Sequence, residues 1–322
     1  MNHDILQWFK NQPQTFISGE EISKQFGVSR TAVWKHIEQL RKAGYKIEAV
    51  PRKGYRLVES PAFFQTVRFV AALKTKKLGT NLRVFESLDS TQTRAFEEAR
   101  KGAPEGTLVW TEMQTGGKGR RGRAWHSPPY KGLWFSFIVH PRIPLQFTPQ
   151  LTLLTAVAIC RVLRRKGIEC GIKWPNDLYI EGKKCGGILL ETTAEDERVQ
   201  VAIGGIGLSV NLDAEDYPET LRDQVISLKM ATGKSWDREL LLADILKEIE
   251  DFYLIYLEQG FEPIRILWEA LSIHMGEQVE VETIEGRIGG RTRGVNSLGA
   301  LILEQADGRR QEVYSGDLIA PF

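Results

Sequence analysis

The sequence predicts an α+β protein of two or three domains, and three observations carry this prediction. A chain of 322 residues, 42% of them hydrophobic, is long enough to bury more than one core. The first 62 residues show helical spacing followed by two strand-like runs, and the middle of the chain alternates strand-like and helical patterns. From the residues alone, the C-terminal part is predicted to be a small β module.

The N-terminal region predicts three short helices joined by tight turns. Ser18 followed by Glu21 is a capping box, which opens a helix that runs through Phe26. Gly27 makes the next turn, and Ser29 caps a third helix. The first and third helices carry apolar residues at helical spacing: Ile5, Trp8, Phe9, Val33, Ile37 and Leu40. The second and third helices therefore form a helix, turn, helix arrangement.

A hairpin of strands 47–50 and 55–58, with a basic tip at 51–54, is predicted after the third helix. From Lys24 to Arg56 there are nine cations and only two glutamates. This pattern resembles a winged helix-turn-helix, whose third helix enters the major groove and whose wing contacts phosphate. A small helical adaptor with a solvated basic face is the alternative. The residues predicted to bind DNA are Ser29, Arg30, Thr31, Trp34, Lys35, Arg52 and Lys53.

Pro61 begins the connection to a second domain, in which strand-like and helical patterns alternate. Asp89 or Ser90 caps one helix, and Thr148 opens another that has a basic last turn. The predicted strands are 133–139, 178–180, 187–190, 199–203 and 208–210. They predict an α+β or mixed sheet with helices on one side, and a glycine-rich loop at 114–128 over one sheet edge.

The segment from Gln114 to Pro128 predicts a ligand-binding loop. It holds four glycines and the four cations Lys118, Arg120, Arg121 and Arg123. Glycine lets the backbone approach a ligand closely, and Lys and Arg donate hydrogen bonds to anions. Ten Lys and Arg, and no carboxylate, lie between Glu112 and Glu169. The predicted ligand therefore carries a carboxylate or a phosphate, and a solvated basic turn is the alternative.

Residues 117–122 also fit the spacing G-x-G-x-x-G of a dinucleotide-binding site, and a strand-like run at 107–112 precedes them. That site requires a helix that begins at the third glycine, because the helix N-terminus binds the pyrophosphate. The residues that follow, 123–129, end in two prolines and cannot continue as a helix. We therefore reject a dinucleotide site of the Rossmann type at this loop.

Three further segments of the second domain carry candidate site residues. In 173–177 a cation, an aromatic ring and a carboxylate surround a proline turn, with a plain strand-end turn as the alternative. In 184–188 a lysine stands just before two glycines, where a backbone can approach a ligand. The glycine-rich stretch 204–211 opens a strand, with a β-bulge as the alternative. Residues 233–235 resemble half a phosphate-binding P-loop, but Leu228 replaces its first glycine, so a turn before a helix near Trp236 is predicted.

Cysteine content and hydropathy predict the compartment. Cys160, Cys170 and Cys185 are odd in number and lack C-x-x-C spacing, which predicts neither a disulfide framework nor a zinc site. No signal pattern opens the chain, and the apolar run at 151–160 is too short to span a bilayer. We therefore expect a cytoplasmic protein without membrane contact.

Four motifs, in this order behind a winged helix, resemble the bifunctional biotin protein ligases that also repress the biotin operon. They are Asp89-Ser-Thr91, the loop at 117–123, Lys173-Trp-Pro-Asn-Asp177 and Lys184-Cys-Gly-Gly-Ile188. The resemblance covers nearly the whole chain and depends on all four motifs at their spacings. Two positions depart from the usual motifs: Lys118 replaces an arginine and loses its bidentate fork, and Gln92 replaces an asparagine and carries its amide on a longer arm.

The resemblance implies three domains. These are a winged helix-turn-helix at 1–62, a catalytic domain with a class II synthetase-like mixed β-sheet and helices at 63–272, and an SH3-like β-barrel at 273–322. The elements expected in the C-terminal half are helices 237–258 and 263–271, strands 278–283, 287–293 and 300–303, and a hairpin turn at 307–308.

The resemblance also implies ATP-dependent amide formation in two steps. Biotin carboxylate attacks the α-phosphate of ATP to give biotinyl-5′-AMP and pyrophosphate, and a lysine of a biotin carboxyl carrier protein or carboxylase domain then displaces AMP. Preorganised cations in a loop poor in water stabilise the charge of the phosphoryl transition state. Mg²⁺ accompanies ATP, and its ligands are unknown. The adenylate-loaded protein is expected to form a homodimer that binds operator DNA and represses biotin genes.

The resemblance assigns roles to individual residues. Lys184 holds the biotin carboxylate, Arg120 contacts the phosphoryl group, and Asp177 positions the incoming amine. The residues implied for biotin are Ser90, Thr91, Gln92, Gln114, Lys118, Gly119, Arg120 and Lys184, and those for ATP or the adenylate are Gly117, Lys118, Arg120, Arg121, Arg123, Trp125 and Asn211. Two alternatives remain: a lipoate or octanoate ligase, whose resemblance lacks the segment 173–177, and a ligand-sensing repressor without catalysis.

Overall fold

The computed structural model describes residues 2–12, 15–42, 45–59 and 63–319. The chain separates into two compact units, Met1–Phe64 with Pro128–Tyr130, and Gln65–Ser127 with Lys131–Phe322. The second unit contains both the predicted catalytic region and the C-terminal strands. The predicted linker residue Pro61 lies outside the described residues, and a domain boundary near residue 272 stays a prediction.

The first unit contains the predicted helix-turn-helix. Its elements are α1 (Asn2–Asn11), α2 (Gly19–Phe26), α3 (Arg30–Lys42), β1 (Lys46–Val50) and β2 (Gly54–Glu59). The capping box forms in both directions, with Glu21 N–H donating to Ser18 Oγ at 3.1 Å and Ser18 N–H donating to Glu21 Oε2 at 2.7 Å. Gly27 ends α2 at φ 65°, and Ser29 Oγ accepts a hydrogen bond from Ala32 N–H at 3.2 Å.

One apolar core holds these elements together. Its buried residues include Ile5, Phe9, Ile22, Val33, Ile37, Leu40 and Ile47. The hairpin is joined to the segment before α2, because Ile17 and Tyr55 exchange backbone hydrogen bonds of 2.8 and 2.9 Å. A Cβ at position 54 would lie 2.2 Å from the Ile17 carbonyl oxygen, so this close approach requires Gly54.

A seven-stranded mixed sheet forms the centre of the second unit, as the sequence predicts. Its strands are β3 (Asn81–Leu88), β4 (Thr107–Gln114), β5 (Gly132–Val139), β6 (Cys170–Lys173), β7 (Asp177–Ile180), β8 (Lys183–Glu195) and β9 (Arg198–Ser209), in the order β3-β4-β5-β9-β8-β7-β6. The pair β3–β4 is parallel, and the other neighbouring strands are antiparallel. The sequence analysis did not identify β3 or β6.

The alternative of a β-bulge at the glycine-rich stretch is wrong. The predicted strands 199–203 and 208–210 are one strand, because β9 runs through the glycines and pairs in continuous register with β5. The register shift between β8 and β9 lies elsewhere, at Thr193 and Ala194. Because glycine is uncommon within strands, the sequence pattern divided β9 into two predicted strands.

Helices pack on both faces of the sheet, so the prediction of helices on one side is wrong. The helices are α4 (Thr66–Ala72), α5 (Thr91–Arg100), α6 (Thr148–Arg165), α7 (Leu228–Thr232), α8 (Arg238–Gln259) and α9 (Glu262–Leu271). Ala95 of α5 packs against Ile203, which lies opposite Glu191 of β8. Successive side chains of a strand alternate between faces, so Leu190 points to the other face, where it lines a groove with Leu153 of α6.

The helix α6 is a core helix. The stretch Leu145–Arg165 is, among the described residues, the one helix long and apolar enough to cross a membrane, and 61% of its apolar window is buried inside the protein. Two arginines near its C-terminal end pair with α8, because Arg161 Nε and Arg165 Nη2 lie 3.0 and 2.6 Å from the carboxylate of Glu248. Some cations of the carboxylate-free stretch between Glu112 and Glu169 therefore hold two helices together and are not needed to explain a ligand site.

The C-terminal strands form a five-stranded antiparallel sheet. They are β10 (Gln278–Thr283), β11 (Gly286–Val295), β12 (Leu301–Glu304), β13 (Arg310–Val313) and β14 (Asp317–Ile319), in the order β13-β12-β11-β10-β14. The first three confirm the predicted strands, and Gly308 turns between β12 and β13 at φ 81°. The sequence analysis did not identify β13 and β14, which are only four and three residues long.

Candidate active site and DNA-binding surface

A cavity of about 200 Å³ opens over the middle of the seven-stranded sheet. Most residues predicted to bind ligand line it: Ser90, Thr91, Gln92, Gln114, Lys118, Gly119, Arg120, Arg123, Trp125, Asp177 and Lys184. The glycine-rich loop lies over the central strands β8 and β9, not over a sheet edge as predicted. The reason is that Trp125 of the loop rests on glycines of these two strands.

Three glycines clear the floor of the cavity, and they lie within the glycine-rich candidate segments 184–188 and 204–211 of the sequence analysis. A Cβ at Gly207 would lie 2.2 Å from Trp125 Nε1, and one at Gly187 would lie 3.1 Å from Trp125 Cζ3. A Cβ at Gly205 would lie 2.4 Å from Gln92 Oε1. The signal was present in the sequence, since glycines two apart in a strand leave one face bare.

A chain of uncharged polar side chains forms one wall. Ser90 caps α5, where its Oγ accepts from Gln92 N–H at 3.2 Å. Thr91 N–H donates to Gln114 Oε1 at 2.9 Å, and Gln114 Nε2 donates to Ser127 Oγ at 2.8 Å. These contacts fix the amide of Gln114 in one orientation, so the wall is preorganised for a neutral polar ligand.

The long arm of Gln92 reaches the sheet. Its Nε2 donates to the carbonyl oxygens of Ile203 at 3.1 Å and Leu189 at 3.3 Å, and its Oε1 lies 3.1 Å from Ser136 Oγ. Only 3% of Gln92 is exposed. Its amide therefore ties α5 to β8 and β9 directly above Gly205, and the side chain shapes the bottom of the cavity.

The glycine-rich loop folds as a tight hairpin. Gly119 N–H donates to the Arg123 carbonyl at 2.7 Å, and Trp125 N–H donates to the Gly117 carbonyl at 2.9 Å. Only a three-residue 3-10 turn, Arg120–Gly122, lies between these bonds, and extended backbone follows it. No helix begins at the third glycine, which confirms the rejection of a dinucleotide site. Gly117 does not line the cavity.

Three arginines of the loop converge on one carboxylate that the sequence analysis missed. Arg120 Nη1 lies 3.6 Å from Asp317 Oδ1, Arg121 Nη1 lies 3.3 Å from Oδ2, and Arg123 Nη2 donates to Oδ2. Arg120 also donates to Asn176 Oδ1 at 3.2 Å. Burial lowers the pKa of Arg120, against the raising effect of Asp317. Arg121 does not line the cavity.

The motifs at 173–177 and 184–188 meet across β7 and β8. Lys184 Nζ lies 2.7 Å from Asp177 Oδ1 and 5.2 Å from the ring centroid of Trp125. Lys173 points to the ring of Tyr179 at 5.3 Å, and burial, with Lys184 nearby, lowers the pKa of Lys173. The structure therefore joins the two motifs at one end of the cavity, which Asn176, Asp177 and Lys184 line. At the loop end, Lys118 Nζ donates to Thr93 Oγ1 at 2.9 Å.

Asn211 does not line the cavity, although the sequence analysis placed it beside the adenylate. Its Oδ1 accepts from Trp236 N–H at 2.8 Å, and its Nδ2 donates to the Trp236 carbonyl at 2.9 Å. The side chain therefore fixes the connection before α8. Gly233 ends α7 at φ 71°, and Asp237 caps α8, so the segment that resembles a P-loop is a turn, as predicted.

The described part of the chain contains no group of three or more His, Cys, Asp and Glu residues that could hold a metal ion. The three cysteines are free and buried. A hydrogen bond with Cys170 and burial raise the pKa of the Cys160 thiol, which therefore stays protonated.

The residues predicted to bind DNA lie on the surface of the first unit. Val33 and Ile37 of α3 are buried, and the opposite face of α3 leaves Trp34 54% exposed. The other predicted residues are also exposed: Ser29, Arg30, Thr31, Lys35, Arg52 and Lys53. Arg52 has φ 66° at the hairpin tip, and Arg56 stacks on the ring of Phe16 at 4.6 Å. Exposed cations on a helix and a hairpin tip suit a nucleic acid backbone.

Comparison with known proteins defines the class. Residues 84–211 match the biotin/lipoate A/B protein ligase family, residues 274–319 match the biotin protein ligase C-terminal domain, and residues 2–56 match a helix-turn-helix domain. The chain belongs to the biotin/lipoate A/B protein ligase family. The resemblance and the fold class that the sequence predicts are both confirmed.

Within this family, the chain is similar along almost its whole length to proteins that combine two functions. Bifunctional ligase/repressor BirA of Bacillus subtilis (strain 168) is 44% identical over 99% of this chain and 98% of that protein. Bifunctional ligase/repressor BirA of Escherichia coli (strain K12) is 30% identical over 90% of this chain and 88% of that protein. The structure of biotin protein ligase from Aquifex aeolicus in complex with biotin and ATP shares 32% identity and a TM-score of 0.64, over 74% of this chain and 98% of that chain.

Proposed function

We propose that this protein activates biotin with ATP, transfers it to a lysine of a biotin carboxyl carrier protein, and represses transcription when biotinyl-5′-AMP is bound. The observation that carries the enzymatic part is the cavity, where a cationic loop, the Lys184–Asp177 pair and an uncharged polar wall meet above a glycine floor. The polar wall suits the neutral ureido ring of biotin. The cations suit its carboxylate and the phosphates of ATP.

The polar wall and the loop bind the two substrates. Thr91 and Gln114 orient the biotin ring, with Ser90 and Gln92 holding the helix and the floor in place. Trp125 packs in the closed loop beside the ligand, and its indole lies against Gly207 and Gly187. Lys118 and Gly119 flank the acyl chain, while Arg121 and Arg123 add positive charge near the phosphates.

In the first step a carboxylate oxygen of biotin attacks the α-phosphorus of ATP, and the bond to pyrophosphate breaks. Lys184 pairs with the carboxylate, and Arg120 stabilises the charge that develops on the phosphoryl oxygens. Asp177, 2.7 Å from Lys184, holds the ammonium in place before the ligand arrives. Preorganised donors of this kind contribute about 10²–10³ in rate each, because they need no reorientation during the reaction.

In the second step the amine of the acceptor lysine attacks the acyl carbon, and AMP leaves. A lysine amine has an ordinary pKa of about 10.4, so it is mostly protonated and passes a proton to the solvent before it attacks. Asp177 is the carboxylate placed to accept a hydrogen bond from this ammonium, because it stands in the cavity wall beside Lys184. It positions the amine toward the acyl carbon.

Mg²⁺ enters with ATP and would add positive charge beside the phosphates. The two carboxylates in the cavity wall, Asp177 and Asp317, are both paired with cations.

The winged unit links the ligase to transcription. One unit is small, and two units on an inverted repeat multiply their contacts through effective concentration. Ordering of the loop by biotinyl-5′-AMP lowers the conformational cost of pairing two subunits, so the adenylate promotes a homodimer that binds operator DNA. Abundant carrier protein consumes the adenylate and leaves a monomer. We place these events in the cytoplasm, where three buried thiols stay reduced.

The enzymatic proposal is tested by incubating the full chain with MgATP, a carrier domain, and either radiolabelled biotin or radiolabelled lipoate. We expect label from biotin only, and none on a carrier whose acceptor lysine is replaced by arginine. Label from lipoate would identify a lipoate ligase, and biotin binding without transfer would identify a sensor without catalysis.

The regulatory proposal is tested by sedimentation and operator binding with no ligand, with biotin, and with biotin plus ATP. We expect dimers and tight operator binding in the third condition. Equal operator affinity in all three conditions would contradict the proposed regulation.

A further inference from the structure

One carboxylate from the C-terminal sheet lies in the wall of the cavity. Asp317 begins β14, its side chain is 21% exposed, and it lines the cavity with Arg120 and Arg123. In the chain it lies 194 to 197 residues from the three arginines that it contacts. Asp317 of the five-stranded C-terminal sheet therefore completes a site that the seven-stranded sheet and the glycine-rich loop otherwise form.

The three arginines lie at different distances from the Asp317 carboxylate. Arg123 and Arg121 share its Oδ2, with Arg121 Nη1 at 3.3 Å. Arg120 Nη1 lies 3.6 Å from Oδ1, beyond hydrogen-bond length, and its other contacts are the Asn176 side chain at 3.2 Å and the Gly316 carbonyl at 3.3 Å. Asp317 therefore pairs with Arg121 and Arg123 through one oxygen, while Arg120, the most buried of the three arginines, is held mainly by Asn176 and the Gly316 carbonyl.

Charge and burial distinguish this cluster from an ordinary surface ion pair. Three guanidinium groups face one carboxylate, so the cluster keeps a net positive charge that attracts phosphate. A carboxylate accepts about four hydrogen bonds, so Asp317 can bind two arginines while the third, Arg120, binds a phosphoryl group. An isolated exposed pair contributes little to stability, but several partly buried charges that share one partner form a network.

We propose that Asp317 is a positioning residue of the ligase: it anchors the glycine-rich loop to the C-terminal sheet through Arg121 and Arg123 and thereby aims Arg120 at the phosphoryl group. This inference rests on the proposed adenylate-forming activity. It assigns the C-terminal sheet a part in retaining biotinyl-5′-AMP. It also explains why a carboxylate stands in a cavity that must bind anions, since Asp317 restrains the loop cations without neutralising them.

The test compares Asp317→Asn, Asp317→Glu and the parent as full-length proteins with biotin and MgATP. Asp317→Asn should release biotinyl-5′-AMP about tenfold faster, with a KM for ATP raised by about as much, as expected when one charge-assisted contact is lost. Affinity for biotin alone should stay within about twofold, because the polar wall is untouched. Asp317→Glu keeps the charge and should restore most of the retention. Labelling of bystander lysines reports adenylate release.

Two controls separate positioning from a loss of folding. Glu304→Gln breaks a comparable pair in the same sheet, with Arg293 at 2.7 Å, and should behave as the parent. Arg123→Gln removes the same contact from the loop side, so it should reproduce the effect of Asp317→Asn even if Asp317→Asn folds poorly. The double variant Asp317→Asn/Arg123→Gln should release the adenylate no faster than the faster of the two single variants. Unchanged adenylate release in Asp317→Asn, an equal effect of Glu304→Gln, or additive effects in the double variant would overturn the inference. A parent without biotin-dependent pyrophosphate exchange would overturn the ligase proposal instead.

Discussion

Replacement of Gly207 by alanine should obstruct the cavity and leave the sheet paired. Gly207 lies within β9, and its bare face is covered by the indole of Trp125. The new methyl carbon would lie 2.2 Å from Trp125 Nε1, 2.3 Å from Cε2 and 2.8 Å from Cζ2. Non-bonded carbon atoms settle at about 3.5–4.0 Å, so the indole must move by about 1.5 Å.

The direction of this movement decides the effect on binding. The indole packs on the buried cluster of Trp134, Leu212 and Tyr217, and Gly187 supports it from below. The space available to it is therefore the cavity itself, of about 200 Å³. Overpacking of this kind costs about 1–3 kcal/mol. If binding of biotin has to restore the indole, the Kd rises about 5- to 150-fold.

The matched control is Gly204→Ala in the same strand. Its methyl group would lie 2.5 Å from Phe137 Cζ, on the opposite face of the sheet and away from the cavity. Both variants should lower the midpoint of thermal unfolding, and titration calorimetry should show weaker biotin binding for Gly207→Ala only. An unchanged Kd for Gly207→Ala, or equal weakening by Gly204→Ala, would refute the steric reasoning.

Four further outcomes are expected. Arg120→Gly removes the guanidinium that bridges Asn176 and the Gly316 carbonyl, so biotinyl-5′-AMP should escape and label bystander lysines; label confined to the carrier would argue against this. Lys184→Ala removes the cation that we propose to act in the transition state, so biotin-dependent pyrophosphate exchange should fall by about 10²-fold or more, and a rate near that of the parent would reject the role. Burial lowers the pKa of His274 from its ordinary value of 6.5, so protonation favours the unfolded chain, and the free energy of unfolding should decrease as the pH falls below 6.5 toward the lowered pKa. His274→Gln should reduce this decrease in denaturant titrations, and a pH profile identical to that of the parent would show that His274 does not cause the decrease. Removal of residues 1–62 should abolish operator binding and leave ligation measurable; operator binding by the truncated protein would show that DNA is read elsewhere.

The sequence by itself determined the local features of this protein. The capping box at Ser18 and Glu21, the turn at Gly27 and the cap at Ser29 depend on contacts within a few residues, and all form as predicted. The prolines after the glycine-rich loop likewise excluded a helix there, and the loop closes as a short hairpin. Short-range steric contacts and hydrogen bonds depend only on residues close together in the chain, so a local pattern suffices to predict them.

Only the tertiary structure decided which of these features meet. Gln92 reaches carbonyl groups of β8 and β9, Asp317 joins the arginines of a distant loop, and Asn211 turns away from the cavity to hold Trp236. Alternation in a strand shows which residues share a face, but it does not show which face a loop or helix will cover. That choice depends on the register and order of strands far apart in the chain. The bare glycines at 205 and 207 therefore form the floor of the cavity only because Gln92 and Trp125 lie against them.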